Sequence, residues 1–300
     1  KKETDTTPIY KDFKNDLQIE KLYGNVKSFT QKKANATNSK KNKFGEEKVN
    51  AVYTFNETGN YERIEIFNDG GRLETRNVYR YNTDDLLVEY KTHTFSSAKN
   101  DEIRELNTYN EDSLMTNKKM YLNEHLEYEL FVAYDTENNI MKSTSFGNND
   151  TITVTTETFL DDRDQIIKIV EKSDKNDYEN TKSNTYDVSG NLLMHEAIMG
   201  SLKFREEYKY KNNIRVERKS YSIPQSEEVF LDMNTKYDEQ FNIIEMNFYE
   251  KSTLKRTLSY TYKFDGHGNW IEKRTYVNND PAKNKTGLPY LIETREISYW

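Results

Sequence analysis

The sequence predicts an all-β fold, a repetitive antiparallel β-hairpin meander forming an extended or curled single sheet. Three observations carry this expectation. An aromatic residue followed by turn-forming residues recurs about every 26 positions. The segments leading into these turns alternate, as in LSYTYKF with Leu258, Tyr260, Tyr262 and Phe264 on one face, and period two is the signature of a strand. Helix signals are confined to the first 30 residues.

Residues 1–21 read as a polar N-terminal tether, with a possible short amphipathic turn within TPIYKDFKNDLQIEKL (7–22). GNVKSFTQKK then begins the first strand, and 22–300 form the repeat domain. Its nine aromatics are Phe55, Tyr81, Tyr109, Tyr134, Phe159, Tyr186, Tyr210, Tyr237 and Phe264, spaced 24 to 28 residues apart. The residues after these aromatics are Asp, Asn, Gly, Glu and Ser, which supply positive φ and local side-chain-to-backbone hydrogen bonds. An apolar residue such as Ile140, Leu192, Ile243 or Trp270 restarts a strand. A second, less regular turn closes each hairpin, as in FNDGGRL (67–73), LNEHL (122–126) and KSDKNDYE (172–179). The count comes to about 18 or more strands; a propeller is disfavoured because its blades repeat every 40–45 residues or so.

Composition narrows the function classes. Apolar residues make up 34% even with 23 tyrosines included, charged residues 32%, and mean hydropathy is -1.04. A thick dry core is excluded, and tyrosine supplies rings to a thin one while its hydroxyl stays polar. The net charge of -7 disfavours nucleic acid, whose affinity rests on neutralising phosphates. Zero cysteines exclude disulfides, thiolate metal sites and a cysteine nucleophile within the sequence.

The pattern aromatic-x-Tyr-Asp-x-x-Gly-Asn-Leu is best seen in NTYDVSGNLLMHE (184–196) and YTYKFDGHGNWIEKRTY (260–276). It resembles the YD repeat of the RHS family. The LYGNVKSFT opening followed by such repeats also resembles cell-envelope lipoproteins of Bacteroidetes. Together the resemblances cover about residues 22–300. They imply a cell-envelope location, as an outer-membrane lipoprotein or a periplasmic or extracellular protein. KKETDTTP (1–8) is then the tether after a lipidated cysteine, the only membrane attachment implied.

No catalytic constellation stands out. FDGHGNW (264–270) lacks the strand, loop and helix order of a phosphate loop. The oxygen-rich runs Asp135-Glu137-Asn139 and Asp161-Asp162-Asp164 resemble part of a calcium loop, but every repeat carries such residues for turn reasons. His93, His125, His195 and His267 are scattered singly, so no metal and no cofactor is expected. Trp300 ends the chain like the terminal aromatic of an outer-membrane barrel. The strands are charged on both faces, however, whereas a lipid-facing barrel needs an apolar outer band.

The candidate binding residues are Tyr260, Tyr262, Trp270 and Tyr276, an aromatic stripe suited to stacking on sugars. The simpler reading makes the stripe a cross-strand ladder worth roughly 0.2–1 kcal/mol per pair. The expected function is that of a non-catalytic envelope repeat protein, not an enzyme, binding a protein partner or glycan through its sheet surface. Carbohydrate binding or processing through the stripe is the alternative.

Overall fold

The computed structural model describes residues 15–38, 43–95, 100–147, 150–175, 179–225, 228–278 and 289–300. One helical turn, α1 (Asp16–Ile19), precedes β1 (Val26–Asn38), the two-residue β2 (Lys43–Phe44) and β3 (Lys48–Phe55). The meander continues through β4 (Tyr61–Phe67), β5 (Leu73–Tyr81), β6 (Leu87–Phe95), β7 (Asn100–Tyr109), β8 (Met115–Leu122) and β9 (His125–Asp135). Next come β10 (Ile140–Gly147), β11 (Asp150–Leu160), β12 (Ile166–Ser173), β13 (Glu179–Tyr186), β14 (Leu192–Met199) and β15 (Leu202–Lys211). The chain ends in β16 (Ile214–Ile223), β17 (Phe230–Tyr237), β18 (Ile243–Glu250), β19 (Thr253–Phe264), β20 (Trp270–Asn278) and β21 (Leu291–Tyr299).

The sheet closes, which corrects the expectation of an extended or curled open sheet. Each strand pairs antiparallel with its neighbour from β3 to β21, and β1 joins the two ends through Phe29↔Tyr53 of β3 and Phe29↔Ile297 of β21. The result is a barrel of 20 antiparallel strands, with β2 attached only to the end of β1. An even strand number lets the first and last strands run antiparallel, and closure removes the two rows of unpaired N–H and C=O groups that an open sheet leaves at its edges. Strands about 4.8 Å apart and tilted about 40° give a perimeter of about 125 Å, far beyond the eight-stranded barrels whose interiors side chains fill.

Curvature comes from bulges. The register shifts beside Phe55, Tyr81, Tyr109, Leu160, Tyr186, Tyr210, Tyr237 and Phe264, the same end of the barrel each time. A bulge bends its strand and increases local twist. It also brings the first residue of the next strand onto the face of the repeat aromatic, as in Phe55↔Tyr61 and Phe264↔Trp270. One repeat is displaced from its sequence reading: Leu160, not Phe159, takes the position paired across the bulge, with Ile166. Phe159 lies on the other face, with Lys168 over its ring.

Seven of the nine repeat turns share one geometry, while those after Tyr134 and Tyr210 differ, the latter turning through Asn212 and Asn213 with φ 52° and 59°. In FDGHGNW the Asp265 carboxylate accepts the N–H of His267 and of Asn269, while Gly268 donates to the Asp265 carbonyl. Asn56, Asn82, Asn110, Asp161, Asp187 and Asp238 do the same at their turns. The fourth residue of the turn has positive φ, from 58° at Asp164 to 88° at Gly268. This is a type I turn closed by a left-handed residue, the loop that leads into a bulge. The first Asp or Asn of each of these turns thus directs a side-chain oxygen to backbone N–H groups.

Candidate functional site

The N-terminal segment docks at the turn end of the barrel. Asn15 caps α1 through the Gln18 N–H and donates to the Thr58 carbonyl at 2.7 Å, and the Leu17 N–H bonds the Gly59 carbonyl at 3.0 Å. Leu22 joins Val26, Phe29 and Phe55 in the buried core cluster, with Leu17, Tyr53, Tyr61, Ile297 and Tyr299 packed around it. Asp16 accepts the Tyr61 N–H at 2.7 Å and the Tyr81 hydroxyl at 3.3 Å. On the far side, the Lys21 ammonium donates to the Phe241 carbonyl at 2.5 Å. The fully buried Asn269 holds Tyr23 by both its N–H and its carbonyl.

These contacts identify the concave face. Tyr81 on β5 and Phe241 after β17 are eight interstrand steps apart along the same rim, an arc of about 50 Å at the spacing and tilt above. The segment between Asp16 and Lys21 is five residues, at most about 18 Å of chain. The chord is shorter than the arc, so the face carrying Phe29, Tyr53, Tyr61, Tyr81 and Arg295 lines the lumen. Register then assigns the other strands.

Burial shapes the charges here. Arg295 lies between Trp270 and Phe29, its guanidinium 3.8 and 4.4 Å from the ring centroids, and donates to Glu20 at 3.1 Å. Desolvation lowers the Arg295 pKa, opposed by the adjacent Glu20. Asp16 is raised chiefly by burial, which outweighs its hydrogen bonds from Tyr61 and Tyr81. Burial, then the hydrogen bond to Glu20, raises the Tyr61 hydroxyl far above the usual phenol range. Lys21 is lowered by burial and next by the positive Arg215, partly offset by Asp238.

The sequence candidates are only partly brought together. Tyr260, Tyr262 and Trp270 share the inner face, with Tyr262 and Trp270 edge to face at 6.4 Å. Tyr276 pairs with Ser259 and stands on the outer face. The Tyr262 hydroxyl donates to the Ile243 carbonyl at 2.8 Å, and Trp270 is covered by Arg295. Tyr109, Tyr134 and Tyr186 make the same bond to Leu87, Met115 and Ile166 at 2.8, 3.0 and 2.8 Å. In each case the acceptor opens the preceding strand, where a bulge disrupts the ladder. Asn107 and Asn184 add a second donor to two of these carbonyls, each at 2.9 Å. The repeated Asn-Thr-Tyr thus supplies hydrogen bonds as well as aromatic rings.

Both walls are charged, and the charges are paired across strands. The inner pairs are Lys118–Glu105, Lys182–Glu171, Arg218–Glu206 and Lys273–Glu293. Outside lie Arg76–Glu65, Arg104–Glu89, Arg205–Glu196 and Lys236–Glu245. A Lys or Arg facing lipid at the bilayer midplane costs about 2–4 kcal/mol, a cost that these outer pairs would meet there. Among the described residues, Ile103, Met199, Leu202 and Phe204 lie on the inner wall toward the other end and remain 37, 43, 55 and 38% exposed.

Sequence reasoning missed Glu20, Lys21, Arg215 and Arg295. Glu20 and Lys21 fall in the stretch assigned to the tether, and Arg215 and Arg295 are single cations among many. Only closure brings them to one mouth.

Fold and site define a closed β-hairpin-repeat barrel with an N-terminal segment docked in one mouth. No family model matches the chain, and no curated protein matches its sequence. Among solved structures, TcdB2-TccC3 is similar at 13% identity and a TM-score of 0.45, over 81% of this chain and 15% of that one. A porin-like protein from Bacteroides uniformis is similar at 12% identity and a TM-score of 0.37, over 91% of this chain and 98% of that one. The TcdB2-TccC3-Cdc42 structure matches at 13% identity and a TM-score of 0.26, over 81% and 16%. The chain therefore spans only a small part of the TcdB2-TccC3 chain.

Proposed function

We propose that the protein is a non-catalytic binding protein of the cell envelope that receives its partner or ligand inside the barrel. One observation carries this reading: a closed wall whose inner apolar side chains Ile103, Met199, Leu202 and Phe204 stay accessible. An interior cleft concentrates apolar contact while excluding larger competitors, which the charged outer wall does not. The polar groups near the turn mouth support a binding role over catalysis. Tyrosine hydroxyls satisfy bulge carbonyls, turn carboxylates bond backbone N–H groups, and Asp16 and Glu20 hold α1.

The test places a cysteine at Met199 in this cysteine-free chain and measures maleimide labelling. Protein isolated gently from the native envelope is compared with protein unfolded and refolded in buffer. Protection in the first and rapid labelling in the second, with Lys219→Cys on the outer wall labelled equally in both, is the expected result. Equal labelling of Met199→Cys in both preparations overturns the reading.

A further inference from the structure

Among the described residues, two cations at the helix-bearing mouth lack the carboxylate partner that other inner-wall cations have. Lys118, Lys182, Arg218, Lys273 and Arg295 each contact a carboxylate on or beside the inner wall. Among the described residues, Arg215 and Lys21 contact none. The Arg215 guanidinium sits over Phe241, Tyr237 and Tyr208 at 4.5, 5.0 and 5.4 Å, and its Nε is buried with no hydrogen-bond partner. Lys21 lies over the same Phe241 ring at 5.0 Å and spends one of its three donors on the Phe241 carbonyl. Two like charges therefore flank a single ring, held by different elements, β16 and the turn after α1. Asp238 is the nearby carboxylate, but its oxygens are engaged by the N–H groups of Gln240 and Asn242 and by the Asn242 amide.

Bringing two partly desolvated cations together is unfavourable unless an anion sits with them. We propose that Lys21 and Arg215 form an anion site at this mouth, taking the carboxylate or phosphate group of a ligand whose body lies against Tyr237 and Phe241. The guanidinium offers a planar fork and the ammonium two further donors, the pairing that suits a bidentate oxyanion. Bound there, the anion bridges the docked N-terminal segment to the barrel wall. The site stands independently of what occupies the lumen beyond it.

The test is calorimetric titration of the full chain with inorganic phosphate and, separately, acetate, at ionic strength held constant with sodium chloride. Amide chemical shifts at residues 240–242 are followed in parallel. Saturable binding of at least one probe is expected, weakened about tenfold or more in Lys21→Gln and in Arg215→Gln, the weight of one charge-assisted hydrogen bond. Lys219→Gln on the outer wall should bind as the parent does. The stronger probe distinguishes a phosphate-bearing from a carboxylate-bearing ligand. If Arg215→Gln does not fold, Arg215→Lys, which keeps the charge but loses the fork, should weaken binding while Lys21→Gln decides the question. No saturable binding in the parent chain, or equal binding in the folded variants, overturns the proposal.

Discussion

The Leu87 carbonyl accepts both the Tyr109 hydroxyl at 2.8 Å and the Asn107 amide at 2.9 Å, so removing the two donors singly and together tests what the repeat tyrosine does. In Tyr109→Phe the carbonyl keeps Asn107, and the loss is one net hydrogen bond, about 1 kcal/mol. Asn107→Ala should cost less, because Asn107 Oδ1 is buried without a partner and that penalty disappears with the side chain. The double variant leaves the carbonyl with neither donor, adding a desolvation cost of about 1–3 kcal/mol. Its destabilisation should therefore exceed the sum of the singles by about 1–2 kcal/mol, well outside the ~0.5 kcal/mol scatter of independent sites. Urea unfolding followed by circular dichroism and by tyrosine fluorescence measures this, provided the two probes coincide and the slope is unchanged. Additive variants would refute the reasoning and return these tyrosines to simple ring packing.

Further expectations concern the docked segment. Gly59 has φ +87°, and a Cβ there would lie 2.6 Å from Asn15 Nδ2, whereas Gly71 has φ +75° and nothing within 4 Å. Gly59→Ala should thus deprotect the Leu17 amide in hydrogen exchange, while Gly71→Ala pays only its backbone strain, about 1 kcal/mol. Arg295→Met removes the cationic partner of Glu20, whose side chain is 24% exposed and keeps the Tyr61 hydroxyl, and should cost about 1–3 kcal/mol; a melting curve close to the parent's would contradict it. Because burial raises the Asp16 pKa above 3.8, its protonated form favours docking. That contribution is full below about pH 3.8 and is lost as pH rises through the higher folded value. Asp16→Asn should therefore dock more firmly at pH 7 and reduce the pH dependence of Leu17 exchange, after correction for the intrinsic rate; an unchanged profile would contradict the assignment.

The strands and their repeat turns were legible in the sequence because their causes are local. An alternating pattern and an Asx-type turn depend on residues within about seven positions, so FDGHGNW and its relatives show their geometry directly. The displacement from Phe159 to Leu160 is not legible from the aromatic spacing, because the turn needs Asp161 and only an apolar neighbour before it. Closure was not legible. It depends on twist and bulge summed over 20 strands, and on whether β1 meets β21 at Phe29↔Ile297, a pairing of residues 268 positions apart. The same distance hid the mouth. Glu20 and Arg295 are 275 residues apart, and Lys21 and the Phe241 carbonyl 220. Local patterns cannot encode such neighbours; they meet only when the summed curvature brings the ends of the meander together.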